Sequence, residues 1–370
     1  MLNTNTTTTA NANSRFKNIS KPNFRDIMLP FVSICTPTFN RRPFIPFLIK
    51  CFEHQTYPKD RMEWIIIDDG TDPIVDIVTD IKQVKYTYCK EKMVLGKKRN
   101  LMHNKCSGDI IIYMDDDDYY PPERVSHAVQ MLQNNPTFLI AGCSEMHVYF
   151  DSRKQVFCCG PYKENHSTAA SFAFKKELLL QTSYNNDNAL AEERHFLKNY
   201  TIPMIQLECL KTILVFSHKH NSLNKEKLLD MPEVTKITDS RYTVDDFIID
   251  PVLKQFYMID MNELLLHYEP GRPEHKPKLM EQMKQMEDER NKRLNDHNQM
   301  LESQQRLLNH KSNYLLQMNE RETSMDALKT HYEKQLADKS YLINELLKKV
   351  KDLTVELTEY KNNHLFKIMI

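Results

Sequence analysis

The chain has 370 residues, of which only six are glycine, where an ordinary soluble protein carries roughly 7%. Fifty basic residues balance fifty acidic ones, which excludes a nucleic-acid binder working through bulk positive charge. The sequence has no run of 18 apolar residues, so a transmembrane helix is not expected either.

In chain order, residues 1–29 open as MLNTNTTTTANANS and lack the apolar centre of a secretory signal. They read as a disordered polar tail. With no membrane span, this predicts a cytoplasmic protein. Asn, Lys and Ile are abundant, as in AT-rich genomes, and for a viral chain the compartment would be the host-cell cytoplasm. Eight cysteines lie between Cys35 and Cys209 without a Cys-x-x-Cys pair, and they read as reduced thiols, mostly in a core. The adjacent Cys158 and Cys159 offer no metal-ligand spacing.

From residue 30 short apolar runs alternate with helical stretches. FVSICT (31–36), EWIIID (63–68), VKYTYC (84–89) and DIIIYM (109–114) read as strands. PFIPFLIKCFEHQ (43–55), GKKRNLMHNKC (96–106) and PERVSHAVQMLQNN (122–135) read as helices. The alternation predicts an α/β domain, a mostly parallel sheet with helices on both faces. Ligands of such sheets sit beyond the carboxyl ends of the strands. Three strand ends are polar there: Thr38-Phe39-Asn40-Arg41, Asp68-Asp69-Gly70 and Asp115-Asp116-Asp117-Asp118. Four adjacent aspartates repel one another, and a hard cation such as Mg²⁺ or Mn²⁺ would relieve the repulsion. Asp115 and Asp117, two apart on leaving a strand, point the same way and can share one ion.

The ordered set VSICTPTFNRRPFI, HQTYPKDRMEWIIIDDGTD, GKKRN and GDIIIYMDDDDYYPPERV resembles the family-2 glycosyltransferases of GT-A fold, over roughly residues 30–222. The resemblance implies a Rossmann-like domain and transfer from a nucleotide-sugar. It maps nucleotide-sugar binding onto Thr36, Pro37, Thr38, Asn40, Asp69, Arg99, Asp115 and Asp116, and the metal onto Asp117 with Asp115. The base falls in the pair Glu192-Glu193 of NDNALAEERHFLKNY (186–200). Glu193 takes the place of the base and Glu192 competes with it; a glutamate departs from the family's aspartate by one methylene. After TILVFSH (212–218) the resemblance implies a polar segment near the diphosphate. His218 and His220, two apart on an extended segment, would face one side and are candidate metal ligands. The segment TAASFAFKKELL (168–179) is where the acceptor would lie.

Residues 223–268 either complete the domain or dock a helix on it. EPGRPEHKP (269–277) is a Pro-rich linker. From 278 to 362 there is neither Gly nor Pro, and Leu294, Leu301, Leu308 and Leu315 recur every seven residues. Ile343, Leu346, Val350, Leu353, Leu357 and Tyr360 then step by three and four, a coiled-coil seam. Leu328, Tyr332 and Leu336 form a stutter between them. Residues 363–370 read as a tail. The expected function is metal-dependent, inverting transfer from a nucleotide-sugar, a UDP-sugar, to an acceptor hydroxyl, with Mn²⁺ or Mg²⁺ as cofactor and a homodimer formed by the coiled coil. The alternatives are an inactive GT-A-like scaffold acting through its coiled coil, and a sugar nucleotidyltransferase. The latter normally has a Gly-rich loop after the first strand, which TPTFNR lacks.

Overall fold

A computed structural model describes residues 29–230, 236–322 and 325–368. The N-terminal tail expected over residues 1–29 lies, except for Leu29, outside the described residues. The chain divides into two compact units, residues 1–286 and 287–370.

The first unit starts with three parallel strands. They are β1 (Val32–Thr38), β2 (Met62–Asp68) and β3 (Val84–Tyr88), joined through α1 (Ile45–Glu53) and α2 (Val75–Val78). Helix α3 (Leu95–Lys105) leads to β4 (Ile110–Tyr113), and α4 (Arg124–Asn134) leads to β5 (Ile140–Gly142). The hairpin β6 (Met146–Phe150) and β7 (Gln155–Cys159) follows, then β8 (Ala173–Lys175), α5 (Glu193–Phe196), β9 (Met204–Gln206), β10 (Leu214–Ser217) and β11 (Ile237–Asp239). The main sheet has the order β3-β2-β1-β4-β8-β5-β9, with β8 antiparallel to both neighbours. A second sheet has the order β10-β6-β7-β11.

The period-two pattern of the strands builds two cores. Ile34, Trp64, Ile66 and Ile112 enter one apolar cluster with Leu48 of α1 and Leu132 of α4. Cys35, Ile65, Ile67 and Ile111 enter the other, with Met102 of α3 and Phe196 of α5. Strands covered on both faces need the near-continuous apolar runs seen here. Burying each such side chain stabilises the fold by roughly 1.5–3 kcal/mol. Because β1 pairs with β2 on one side and β4 on the other, the carboxyl ends of all three lie along one edge.

Residues 223–268 complete this domain. Helices α6 (Val244–Phe247), α7 (Pro251–Gln255) and α8 (Met261–His267), with a π-helical turn at Phe256–Asp260, bury Phe247, Leu253, Phe256, Tyr257, Met261 and Leu265 in the first cluster. Phe256 stacks on Phe47 of α1 at 3.5 Å. The Tyr257 hydroxyl donates to the carbonyl of Asp118 at 2.8 Å.

The long helix begins inside the expected linker. Helix α9 spans Pro277–Glu322 and starts at a proline, whose missing N–H costs nothing in the first turn. Its residues up to Met286 belong to the first unit, where Leu279 is buried and Gln282 bonds Ala189 N and Asp187 O. Helix α10 spans Met325–Ile368, so helix, and not a separate tail, continues from 363 to 368. Leu294, Leu301, Leu308 and Leu315 are 49–61% exposed, and the second seam is as open. Tyr360 and Leu328 carry side chains outside the described set. Among the described residues no helix is long and apolar enough to cross a membrane.

Candidate active site

The polar ends of β1 and β4 border a cavity of about 230 Å³, and the end of β2 lies beside it, bonded to Lys92 and Lys98 of the lining. Pro37, Thr38, Arg99, Asp115, Asp116 and Asp117 line it, joined by Arg41, Lys92, Lys98 and Lys276.

The two acids after β2 have separate tasks. Asp68 accepts from Gly70 N (2.8 Å), Ile74 N (3.1 Å) and Tyr86 OH (2.8 Å), and so shapes the loop. Asp69 accepts from Met93 N (2.6 Å), Lys98 Nζ (2.5 Å) and Lys92 Nζ (3.2 Å). Lys98 also donates to the Thr38 carbonyl at 2.7 Å, which links the ends of β1 and β2 through α3. Gly96 lets α3 begin there: a Cβ would sit 2.0 Å from the Asn185 carbonyl oxygen.

The four aspartates divide in the same way. Asp115 meets Arg99 at 3.3 Å. Asp116 lies 3.4 Å from Arg41; burial, opposed by Arg41 and aided by Asp117, pushes its carboxyl up to about 6. Asp117 lies 3.2 Å from His218 Nε2 and 3.4 Å from Arg41. Burial disfavours its charge, but the His218 hydrogen bond and Arg41 hold it well below the usual carboxylate range. Burial and the charge of Asp117 push Asp118 well above that range. It accepts from Phe216 N at 3.3 Å and sits under Tyr257, a neutral group bracing β10.

Arg99 joins the acid strand end to the glutamate pair. Its guanidinium is buried, lies 4.4 Å from the Tyr113 ring centroid, and meets Asp115 on one side and Glu192 (Nε to Oε1, 2.9 Å) on the other. Glu192 is thereby committed to an ion pair. Glu193 opens α5, and burial with the adjacent Glu192 pushes its carboxyl up to about 7. A carboxylate with that affinity for a proton is matched to general-base work near neutrality.

Three expected nucleotide-sugar contacts, Asp69, Thr36 and Asn40, bond protein groups and do not line the cavity. Thr36 is buried, donates to the Met114 carbonyl (2.6 Å) and accepts from Trp64 Nε1 (2.9 Å). Asn40, in the left-handed region at φ 53°, accepts from Thr71 N (2.7 Å) and Asp72 N (3.0 Å) and donates to the Pro270 carbonyl (2.8 Å). Neither lines the cavity, because each side chain closes a turn or a strand contact that the backbone left open.

The histidines do not face one side, since the chain turns directly after β10 (Asn221 N to His218 O, 3.1 Å) and is not extended. His218 fronts Asp117. Its Nδ1 accepts from His220 N at 3.2 Å, and its Nε2 faces both the Asp117 carboxylate at 3.2 Å and the Asn221 side-chain amide at 2.9 Å. Burial lowers its basicity to about 4, so it is neutral at pH 7. His218 packs against Asp117 and does not itself line the cavity. His220 turns away to Tyr268 and Gly271. The cation site that the residues fit is therefore the carboxylate set Asp115, Asp116 and Asp117 on one cavity wall, hard oxygen donors suited to Mn²⁺ or Mg²⁺.

Four cavity cations were absent from the sequence-derived site. Arg41 and Lys98 stand inside motifs read for other residues. Lys92 and Lys276 carry no motif. Lys276 bonds Ser222 Oγ at 3.1 Å, and both lysines lie against the Phe39 ring. Burial, with Lys98 beside Lys92 and Arg41 beside Lys276, lowers each to about 7. Gly271 permits this approach: a Cβ there would sit 2.6 Å from the Asn40 carbonyl oxygen.

An α/β domain with acidic strand ends on a cation-rimmed cavity defines an enzyme working at the carboxyl edge of a parallel sheet. Residues 33–170 match the family model described as Glycosyl transferase family 2, so this part of the chain is a glycosyltransferase domain of GT-A fold. The match includes Asp69, Arg99 and the four aspartates and stops before the glutamate pair. An uncharacterized glycosyltransferase of Haemophilus influenzae is 25% identical over 210 residues, 52% of this chain and 78% of that protein. The poly(ribitol-phosphate) beta-N-acetylglucosaminyltransferase TarS of Staphylococcus aureus is 26% identical over 108 residues, 28% of this chain but only 19% of its own. Among solved structures, a mannosyltransferase of Pyrobaculum calidifontis in complex with GDP-Man and Mn²⁺ aligns at a TM-score of 0.44 and 17% identity, covering 69% of this chain and 74% of that one.

Proposed function

We propose that the chain transfers a sugar with inversion from a nucleotide-sugar, a UDP-sugar, to an acceptor hydroxyl, with Mn²⁺ or Mg²⁺ held by Asp117 and Asp115. The observation that carries this is Arg99, which sets the acidic strand end and the Glu192-Glu193 pair at one buried guanidinium. One side of the site then suits a diphosphate with its cation, and the other a base. The family resemblance implies that Pro37 and Asp69 border the nucleoside; Lys98 lines the cavity and holds Asp69 there. Lys92, Lys276 and Arg41 bring positive charge to the diphosphate. The ion, when bound, would neutralise charge growing on the leaving nucleoside diphosphate. Glu193 takes the acceptor hydroxyl's proton as that oxygen attacks the anomeric carbon. Arg99 holds Glu192 in place through the 2.9 Å ion pair, and the adjacent Glu192 raises the proton affinity of Glu193.

The test is release of nucleoside diphosphate from UDP-, GDP- and dTDP-sugars with each metal. Failure of every donor to bind or turn over would overturn the assignment and favour the scaffold reading. Replacing Lys276 with Met is expected to raise the donor KM about tenfold, the loss of one charge-assisted contact of about 1.4 kcal/mol, with a smaller change in kcat. Because Lys92 and Lys276 lose their protons near pH 7 in the free enzyme, kcat/KM should fall above that pH while kcat does not. A bound diphosphate keeps both lysines charged.

The open seams of α9 and α10 support a dimer through this region, since an apolar heptad stripe is stable only when covered. The double change Leu346→Asp with Leu353→Asp should halve the mass seen by light scattering without altering turnover. An unchanged mass would refute the dimer.

A further inference from the structure

Outside the donor cavity, the second sheet gathers a different set of side chains. Strands β6 and β7 pair with His147 opposite Cys158. Glu145, two residues before His147, lies on the same side of the strand path. One ligand atom from each of these three residues lies within 4.8 Å of the other two. We propose that Glu145, His147 and Cys158 bind a zinc ion that staples the β6–β7 hairpin to the segments flanking it.

The distances suit that ion. Donor atoms about 2.0–2.3 Å from a tetrahedral zinc lie about 3.3–3.8 Å from one another. Glu145 Oε1 is 3.1 Å from His147 Nε2 and 3.8 Å from Cys209 Sγ. Cys209, in the turn ahead of β10, borders this group at Glu145, and either its thiolate or a water takes the fourth position. The donor set also selects the metal. A thiolate, an imidazole and a carboxylate suit zinc, whereas the all-oxygen wall of the donor cavity suits Mn²⁺ or Mg²⁺.

An outer shell is already in place. Ser240 Oγ lies 3.0 Å from His147 Nδ1 and accepts from Tyr242 N at 2.9 Å. A proton on Nδ1 can donate to that hydroxyl, which leaves the Nε2 lone pair free for the ion, the orientation typical of ligating histidines. Arg241 stands 3.4 Å from Glu145 Oε1 and compensates the charge of the carboxylate and a thiolate. Binding exchanges the Cys158 thiol proton, released to solvent, for the S–Zn bond. The staple would tie four segments: β6, β7, the Cys209 turn and the chain after β11. The Cys209 turn leads into β10, which delivers His218 to Asp117.

The experiment uses the full chain, untagged, stripped of metal and titrated with Co²⁺ as a spectroscopic stand-in for zinc. A thiolate-to-cobalt charge-transfer band saturating at one equivalent is expected, displaced by Zn²⁺, lost in Cys158→Ser and retained in Asp117→Asn. The retained band separates this site from the donor cavity, which has no thiol in its lining. Zinc should also raise the melting temperature of the wild type, since it binds the folded state. Absence of the band in the wild type, or a band of equal intensity in Cys158→Ser, would overturn the proposal. Should Cys158→Ser not fold, His147→Gln and Glu145→Gln give the same reading: expected to weaken cobalt binding at least tenfold, they overturn the site if both bind as the wild type does. Cys209→Ser distinguishes a fourth protein ligand, with weaker binding and a reduced band, from a water there, with neither changed; both outcomes keep the three-residue site.

Discussion

Replacing Glu193 with Gln should lower kcat by roughly 10²–10⁴-fold, the usual contribution of a positioned general base. The donor KM should change little, because Glu193 is not among the residues lining the cavity. The amide keeps the shape and loses the proton-accepting oxygen. The pH profile supplies an independent readout. The carboxyl of Glu193 is pushed up to about 7 by burial and by Glu192, so the acid form prevails below that pH and cannot accept a proton. In the wild type, kcat should therefore rise with pH and level off above about 7, and the rising limb should vanish in Glu193→Gln. Glu192→Gln should behave differently. It breaks the 2.9 Å pair with Arg99 and removes the charge that helps raise Glu193. The limb then moves to lower pH while a measurable rate remains. If Glu192→Gln abolishes turnover and Glu193→Gln spares it, the roles are reversed.

Asp117→Asn should cost about 10³-fold in turnover, the scale of removing one preorganised charge at a reacting centre. It should also weaken Mn²⁺ binding measured by calorimetry in the presence of donor. Arg41 retains Asp116 and two backbone carbonyls, of His220 and Gly271, so the wall should stay ordered. Asp118→Asn is the matched control. Burial and Asp117 keep Asp118 neutral, its oxygen accepts from Phe216 N, and an amide oxygen accepts equally well. Its turnover should stay near that of the wild type. Equal loss in both variants would mean that the four aspartates act only as a structural cluster.

The contrast between Asp117 and Asp118 shows how far sequence reading reaches. Four acids after an apolar run point to a cation site, because adjacent carboxylates at a strand end repel one another until an ion or a basic side chain offsets them. Which of them stays charged depends on burial and on Arg41, His218 and Lys225, which come from residues 41 to 225 of the chain. The same holds for Asp68 and Asp69, adjacent in sequence but separated by the pleat: one turns to loop amides, the other to Lys92 and Lys98. Thr36 and Asn40 were read as ligand contacts from the family pattern. Their polar atoms satisfy protein groups instead, as buried polar atoms must. Their spacing makes His218 and His220 one ligand pair on an extended segment, but the turn at Asn221 parts them. Lys276 was invisible, since a lysine in a Pro-rich stretch has no distinguishing neighbour.

Local pattern alone determined the first four strands, the longer helices between them, the acidic strand ends and the long helix. Each depends on periodicity or on missing Gly and Pro within a few residues. Tertiary structure decided which acids keep their charge, that Arg99 joins Asp115 to Glu192, that Lys276 closes the donor cavity, and that His147 faces Cys158. These are contacts between residues tens to hundreds of positions apart. Their energies come from desolvation and charge pairing in a buried space, and that space exists only once the sheet has assembled.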